Sequence, residues 1–305
     1  MRRAPRAPSV TGGFVTLPTG RANLGTYAFA QLLKALPRER ITRAVGQLSE
    51  LALPVPISRA VVNAYVRAYR VDMDEAEPLN GRGAYRSFDA FFTRKLRSDA
   101  RPIDAPVGQI LSPADGRLDA AGAISDSGTI AVKGKPYSAA ELLCSETALD
   151  RYRGGPFAVV YLSPRDYHRV HMPTAGRITE VRSKEGELFP VNRISELHFP
   201  GFLSLNRRVA IQVERKHPDG STAPEVTIVM VAAMIVGRIT VTGIDDRDVE
   251  YGVHQLDLDL ARGDELSVFH LGSTAVLFAE PAEAAFDRGM GPIRLGEPLQ
   301  RAETP

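Results

Sequence analysis

DELSVFHLGSTAVLFAE, residues 264–280, contains two short apolar runs separated by a glycine and a serine. Each run has the length and composition of a β-strand. Gly272, Ser273 and Thr274 could therefore be no more than a turn into the second strand. Because Ser273 carries a hydroxyl that a base could activate, it could also be a site of chemistry.

Short apolar runs of the same kind recur from about residue 106 onward, with Gly, Pro and Asp turns between them. They are QILSPADGRLDAAGAI (109–124), GTIAVKG (128–134), FAVVYLSP (157–164), GRITEVRS (176–183), RRVAIQVER (207–215) and EVTIVMVAAMIVGRITVTG (225–243). This spacing predicts a β-rich body of many short, mostly antiparallel strands. Neither a GxGxxG nor a GxxxxGK[ST] motif occurs, which argues against a doubly wound nucleotide-binding fold.

The region before the strands has helical spacing. YAFAQLLKAL (27–36) predicts a short helix, and ITRAVGQLSELA (41–52) predicts a second with one apolar face. Ser58 and Ser87 are the expected caps of a third and a fourth helix. The sequence therefore predicts an α+β protein in which N-terminal amphipathic helices precede a β-rich catalytic body.

We divide the chain into three expected regions. Residues 1–22 are rich in Arg, Pro, Gly and Ala, which is typical of a flexible basic arm. Residues 23–100 form a helical region, and residues 101–305 form the β-rich domain.

Charge is distributed unevenly. The first 70 residues hold eleven Lys and Arg but only Glu39 and Glu50 as acids, a net charge of +9, so the remaining 235 residues carry −7. A basic segment on an acidic body predicts a polyanionic partner, either anionic lipid or nucleic acid. The helices either pack on the body with their arginines in water or lie on a membrane surface.

The composition excludes several classes of protein. The single cysteine, Cys144, excludes an internal disulfide framework and a CxxC zinc site. No stretch approaches the roughly 20 apolar residues that span a bilayer. The basic N-terminus lacks the apolar core of a signal peptide, so we expect the chain to stay on the cytoplasmic side.

Two histidines in YLSPRDYHRVHMP (161–173) are candidates for proton transfer. His168 and His171 follow Asp166, and an imidazole titrates near neutrality. They could instead be structural residues where a strand meets a loop. A catalytic zinc site needs three protein ligands, and the chain has no nearby cysteine and no HExxH motif, so we expect no metal.

Asp115 and Ser273 complete the set of candidates. Asp115 in SPADGR (112–117) could cap its own turn or orient a histidine. The sequence around Ser273 does not match the GxSxG motif of serine hydrolases, because Leu271 and Ala275 stand where the motif has its two glycines. Attack by the Ser273 hydroxyl on the Gly272 carbonyl would convert the peptide into an ester. Elimination and hydrolysis would then leave a pyruvoyl group, an electron sink like pyridoxal phosphate.

The chain resembles the phosphatidylserine decarboxylases, a family of self-processing pyruvoyl enzymes, from about Tyr85 to Glu280. Eight markers occur in the family's order: FFTRKLR (91–97), SPADGR (112–117), VKGKPYSAAELL (132–143), YLSPRDYHRVHMP (161–173), GELFPVN (186–192), NRR (206–208), VAAMIVGRI (231–239) and LGST (271–274). The departures from the family pattern are the Arg- and Pro-rich first 22 residues and the short tail after Glu280.

The resemblance implies a role for each candidate residue. Self-cleavage between Gly272 and Ser273 would give a β chain, 1–272, and an α chain, 273–305, that stay associated. Asp115, His171 and Ser273 would form the self-cleavage relay, and Ser273 would become the pyruvoyl group. His168 would give a proton to the decarboxylated product, and the substrate would be bound by Phe189 and Asp166.

The resemblance also implies a substrate, a cofactor and partners. Phosphatidylserine would be decarboxylated to phosphatidylethanolamine through a Schiff base to the pyruvoyl group, without pyridoxal phosphate. The enzyme would be a peripheral protein on the cytoplasmic face of the cell membrane and a homodimer of the cleaved unit, with no nucleic-acid partner. The alternatives are a serine hydrolase that uses Ser273, His171 and Asp115, a pyruvoyl decarboxylase of a soluble amino acid, and a non-enzymatic binding module built on the basic segment.

Overall fold

Helices come first along the chain and strands follow. The structure is a computed structural model that describes residues 24–79, 81, 83–216, 221–235 and 238–301. The predicted basic arm, 1–22, lies outside the described residues. The N-terminal helices are α1 (Leu24–Ala35), α2 (Arg38–Glu50), α3 (Val55–Tyr69) and α4 (Phe88–Phe92), and those of the body are α5 (Ala139–Leu143), α6 (Glu146–Tyr152), α7 (Arg193–His198) and α8 (Phe202–Leu205).

The strands form three antiparallel sheets. They are β1 (Gly116–Ala123), β2 (Thr129–Val132), β3 (Lys135–Ser138), β4 (Pro156–Tyr161), β5 (Arg169–His171), β6 (Gly176–Lys184), β7 (Arg208–Lys216), β8 (Thr222–Val231), β9 (Arg238–Val241), β10 (Gly252–Leu260), β11 (Glu265–His270), β12 (Thr274–Ala279) and β13 (Gly291–Ile293). The large sheet has the order β10-β6-β7-β8-β12-β4-β1-β13, a second has β5-β11-β9, and β2 pairs with β3. The predicted α+β class is confirmed.

Strands β4, β8 and β12 in the middle of the large sheet are buried on both faces. Along β12, Ala275 and Leu277 point into one hydrophobic cluster, while Val276 and Phe278 point into the other. The three-stranded sheet covers the first face, and helices α5 to α8 cover the second. Burial on both faces explains why these strands appear in the sequence as continuous apolar runs rather than as alternating ones.

Two predicted helix caps have different outcomes. Ser87 caps α4 as predicted, because its hydroxyl accepts a hydrogen bond of 3.1 Å from the Ala90 amide. The prediction for Ser58 is wrong, since α3 begins at Val55 with a proline in its first turn. Ser58 is buried inside that helix, where its hydroxyl donates to the Tyr85 carbonyl at 2.6 Å.

The N-terminal helices contact the body through polar residues and expose apolar ones. In α2 the buried side chains are those of Thr42 and Ser49, whereas Leu48 is 67% exposed. Thr42 accepts a hydrogen bond of 3.0 Å from the Ile235 amide, and the Tyr65 hydroxyl on α3 donates to the Pro164 carbonyl at 3.0 Å. Apolar residues also take part in this contact, since Ala30 and Leu33 of α1 are buried in the core and Val45 of α2 packs against it, so only part of each apolar face is exposed. None of the helices formed by the described residues is long and apolar enough to cross a bilayer.

Candidate active site

The Gly-Ser junction is the crossover between two sheets. Strand β11 belongs to the three-stranded sheet and β12 to the eight-stranded sheet, so residues 271–273 carry the chain from one to the other. Leu271 has a φ of +82°, a left-handed conformation that is strained for a residue with a side chain. The Ser273 carbonyl accepts a hydrogen bond of 2.8 Å from Leu162, which anchors the start of β12.

His168 lies against Gly272. A Cβ added to Gly272 would be only 2.6 Å from His168 Nε2, so a side chain at this position would meet the imidazole. The His168 ring is fully buried and packs on Phe92, with the ring centroids 4.0 Å apart. Neither of its ring nitrogens has a hydrogen-bond partner within the described part of the chain. A glycine at 272 therefore lets the imidazole approach the peptide closely.

The site holds a neutral imidazole next to an unpaired hydroxyl. Burial, with the nearby positive charge of Arg94, lowers the pKa of His168 to about 3, so its ring is uncharged at neutral pH. Ser273 is 2% exposed, and its Oγ has no hydrogen-bond partner among residues 24–301 as far as they are described. Buried polar atoms are nearly always paired, so these three unpaired atoms indicate a functional site.

His171 faces a different environment. Its Nδ1 is 2.7 Å from the Gly263 carbonyl, which can only accept, so Nδ1 carries the proton. Its Nε2 then accepts a hydrogen bond of 3.0 Å from the Tyr167 hydroxyl. Burial lowers the pKa of His171 as well. Both of its ring nitrogens are therefore engaged.

Asp115 is held by an arginine. Its carboxylate accepts two hydrogen bonds from Arg101, at 2.9 and 2.5 Å, and one of 2.8 Å from the Leu295 amide. The described residues show no hydrogen bond that joins Asp115 to His171 or His171 to Ser273, so this structure does not contain the predicted relay as a hydrogen-bonded chain. The backbone does bring the segments that contain Asp115 and His171 together, because the His171 amide donates a hydrogen bond of 2.8 Å to the Pro113 carbonyl.

The two residues predicted to bind substrate have contacts within the protein, and their role in substrate binding stays a prediction. The Asp166 carboxylate accepts hydrogen bonds from the amide and the hydroxyl of Ser163, at 2.7 and 2.6 Å, and so stabilises its own turn. Phe189 stacks on Phe199 at 4.2 Å and lies under the Arg38 guanidinium at 4.4 Å. Neither residue lines the cavity beside Ser273.

A cavity of about 360 Å³ opens beside the Gly-Ser peptide, and most of its lining is apolar. It is lined by Val45, Ser49, Tyr65, Tyr69, Phe88, Phe92, Tyr161, Leu162, Pro164, Pro190, Val191, Asn192, Ala233, Met234, Ile235, Leu271, Gly272 and Ser273. The GELFPVN segment contributes its last three residues rather than Phe189. Helices α2 and α3 form one wall. This wall was not predicted from the sequence, although Tyr65 and Tyr69 on one side of α3 indicate an apolar surface there.

Other features of the surface lie away from this cavity. A larger cleft of about 990 Å³ lies between residues 100–109 and 283–301, and none of the predicted site residues lines it. Within the described part of the chain, no group of three or more His, Cys, Asp or Glu side chains could hold a metal ion.

A strained Leu271 before the glycine-serine link, a neutral imidazole and an apolar cavity in one place are typical of an enzyme's reaction centre. Comparison with known proteins identifies the class of enzyme. Residues 88–300 match the family model described as phosphatidylserine decarboxylase. The chain belongs to this family, as its sequence motifs predicted, and is therefore a decarboxylase, a carboxy-lyase.

Curated relatives agree over nearly their whole length. A phosphatidylserine decarboxylase proenzyme from Anaeromyxobacter sp. (strain K) is 35% identical over 89% of this chain and 97% of its own. Proenzymes of the same name from Bordetella petrii and Azotobacter vinelandii are each 37% identical, over 87% and 88% of this chain and 94% and 95% of theirs.

Proposed function

We propose that this enzyme decarboxylates phosphatidylserine to phosphatidylethanolamine, using a reactive carbonyl made from its own Ser273. The observation that carries the proposal is the buried, unpaired Ser273 hydroxyl, next to a glycine that His168 contacts. The proenzyme names of the relatives are consistent with a chain that must be processed before it acts.

Maturation would begin with the Ser273 hydroxyl. Its oxygen attacks the Gly272 carbonyl carbon, the peptide C–N bond breaks, and the released amine takes up the hydroxyl proton. Elimination then releases the Gly272 carboxylate, and hydrolysis releases ammonia and leaves a keto group on residue 273. The left-handed backbone at Leu271 supports this step, because strain next to a peptide favours a reaction that opens it.

The residues around Ser273 fit such a group. The cavity beside it has room for a substrate amine to approach, and no second cofactor is needed to bind it. When present, the carbonyl would bind the substrate amine covalently and accept the electron pair that remains on the substrate when carbon dioxide leaves. The apolar lining, which includes Phe88, Phe92 and Leu162, excludes water and so favours loss of a charged carboxylate.

The proposed roles of the two histidines are separable. The His168 ring lies at Gly272, so we propose it as the proton donor to the product carbon. Because burial keeps the ring neutral, this role requires it to take up a proton once substrate is bound. The relay of Asp115, His171 and Ser273 stays a prediction, and it requires His171 to release Tyr167 and Gly263 during maturation. If the relay operates, His171→Ala leaves one intact chain, whereas His168→Ala is cut but turns over slowly. The opposite pattern would assign the maturation proton to His168.

The segment after the cut would stay bound to the rest of the protein. Strand β12 lies between β8 and β4 inside the large sheet, and β13 pairs with β1. This placement supports two chains that remain associated. A homodimer of the cleaved unit stays a prediction that light scattering can test.

The exposed apolar faces of α1 to α3 support binding at a membrane surface. Leu24, Tyr27, Leu32, Leu48, Leu51 and Ile57 are each more than half exposed. Exposed arginines, among them Arg40 and Arg43 on α2, lie on the same helices and would attract anionic lipid, each adding about 1 kcal/mol. Since α2 and α3 also line the cavity, we propose that lipid enters from this side, on the cytoplasmic face of the membrane.

Ser273→Ala tests the proposal directly. The wild-type protein should run as a large and a small chain on a denaturing gel and decarboxylate phosphatidylserine in vesicles. The Ser273→Ala protein should run as one chain and be inactive. A fully active Ser273→Ala protein would contradict the proposal. Serine-directed acylation of an uncut wild-type chain would indicate a hydrolase, and equal activity on free serine would indicate a decarboxylase of a soluble amino acid.

A further inference from the structure

A second cavity adjoins the start of β12, on the opposite face from the first. It has a volume of about 300 Å³ and is lined in part by Lys133, Lys135, Tyr137, Val191 and Thr274. Val191 also lines the cavity beside Ser273, so the GELFPVN segment contributes to the walls of both cavities. Thr274 follows Ser273 directly, which places this second cavity one residue from the proposed reactive carbonyl.

Asp119 and Glu196 also line the cavity, together with Lys133 and Lys135, and one of the two lysines has no ion-pair partner among the residues that the structure describes. Lys133 binds the carboxylates of Asp119 and Glu196, at 2.9 and 2.6 Å, and Asp119 also pairs with Arg117 at 2.5 Å. These two cations and two carboxylates balance one another. Lys135, which is half-buried, has no ion pair or hydrogen bond through its ammonium group within the described residues.

A buried hydroxyl faces the same space. Thr274 lines the cavity and is 1% exposed, and its Oγ1 has no hydrogen-bond partner in the parts of the chain that the structure describes. An unpaired ammonium and an unpaired hydroxyl in one cavity are suited to a ligand with several acceptor oxygens, one of them anionic.

Resting on the proposed function, we infer that this cavity binds the phosphodiester of the lipid headgroup, through Lys135 and Thr274. The alternative anion in the same headgroup is the carboxylate. An ion pair with the carboxylate would stabilise the ground state from which carbon dioxide must leave, and so would oppose the reaction. The phosphodiester stays unchanged during the reaction, and a lysine that binds it orients the substrate without this penalty.

The test compares Lys135→Gln with Lys135→Arg and with Lys95→Gln, an exposed lysine outside both cavities. Cleavage is checked first on a denaturing gel. Kinetics are then measured with dihexanoyl phosphatidylserine in neutral detergent micelles, where attraction to an anionic surface plays no part. We expect Lys135→Gln to be cut normally, with its KM raised about tenfold to hundredfold and its kcat nearly unchanged. Lys135→Arg should recover most of the loss, and Lys95→Gln should match the wild type.

Calorimetry with dihexanoyl phosphatidylethanolamine identifies the bound group, because this lipid has the phosphodiester and lacks the carboxylate. We expect Lys135→Gln to weaken its binding by the same factor as the KM changes. Unchanged binding would assign Lys135 to the carboxylate and overturn the inference. A Lys135→Gln chain that is not cut would also overturn it.

Inorganic phosphate should bind the wild type far more weakly than the lipid, and equal affinity would indicate a free-phosphate site instead. A wild-type protein that is neither cleaved nor active on phosphatidylserine would refute the proposed function itself.

Discussion

Gly272 has no room for a side chain in this structure. A methyl group there would be 2.6 Å from His168 Nε2, closer than any stable contact, so the imidazole or the crossover would have to move. We expect Gly272→Ala to slow self-cleavage at least about tenfold, since small displacements strongly reduce reactions that depend on geometry. A time course on denaturing gels measures it. Gly289→Ala, where an added Cβ has no neighbour within 4 Å, is the matched control and should be cut like the wild type.

The buried neutral His168 should make the fold sensitive to acid. Above pH 6.5 the ring is uncharged in both the folded and the unfolded chain, so it contributes no pH dependence. Below pH 6.5 the unfolded chain binds a proton that the folded one, with a pKa of about 3, does not bind, so stability falls as the pH falls.

This sensitivity can be measured in the uncut Ser273→Ala background. Between pH 7 and pH 5, Ser273→Ala should lose about 2 kcal/mol more unfolding free energy than Ser273→Ala/His168→Gln. Urea unfolding at the two pH values provides the comparison, and the lowered pKa of His171 affects both proteins equally. Identical pH dependence in the two proteins would show that His168 is not buried as a neutral ring.

At the scale of elements, helix α2 carries the prediction for membrane binding. Because Leu48 and Leu51 are exposed and the polar Thr42 and Ser49 are buried, the apolar face is available to lipid. We expect Leu48→Gln/Leu51→Gln to weaken binding to anionic vesicles about tenfold or more, while self-cleavage stays normal. Vesicle co-sedimentation measures it. Val253→Gln, which alters an exposed residue of strand β10, should bind like the wild type.

The salt dependence of vesicle binding distinguishes the contribution of the arginines from that of the exposed leucines. If the arginines contribute, binding should weaken as ionic strength rises, because exposed charges are screened. Equal binding of the leucine variant and the wild type would place the lipid contact elsewhere on the molecule.

An ion-pair network links α2 and α4 to the strand that precedes the reaction centre. Asp89 on α4 pairs with His270 at 2.8 Å and with Arg238 at 2.9 Å, and Arg238 also pairs with Glu50 at 3.0 Å. Burial raises the pKa of Asp89, but the hydrogen bond from His270 and the charge of Arg238 outweigh it and lower the pKa overall. The carboxylate is therefore charged and partnered at neutral pH.

Removing that charge should destabilise the protein. In the Ser273→Ala background we expect Asp89→Asn to lower the unfolding free energy by about 2–4 kcal/mol, because Arg238 and His270 lose their partner while largely buried. Urea unfolding measures it. Asp99→Asn breaks the exposed pair with Arg97 and should have no measurable effect. Similar midpoints for both variants would show that the network is not stabilising.

Secondary structure was predictable from the sequence wherever a strand is buried on both faces. The runs that became β4, β8 and β12 are continuous and apolar over most of their length, so their type was clear. Strand β10, GVHQLDLDL, was missed because it is an edge strand with half of its residues in water, and its aspartates are poor strand formers. Burial by tertiary contacts decides such cases, and a local pattern does not contain that information.

At the scale of the whole molecule, the sequence motifs predicted the family, and they placed both His168 and His171 at the Gly-Ser junction. His168 and His171 are three residues apart, and in an extended chain an odd separation places two side chains on opposite faces. The predicted relay grouped His171 with Ser273, whereas the structure places the His168 ring at Gly272. The contribution of α2 and α3 to the cavity was not predicted, because the aromatic residues of α3 indicate an apolar surface but not where the helix docks.

The intact mass of the purified wild-type protein tests the central claim most directly. Self-cleavage at Ser273 predicts two masses, one for residues 1–272 and one for residues 273–305. The smaller chain should be lighter, by the mass of one ammonia, than the same chain with an N-terminal serine. A single mass for all 305 residues in a fully active preparation would contradict it.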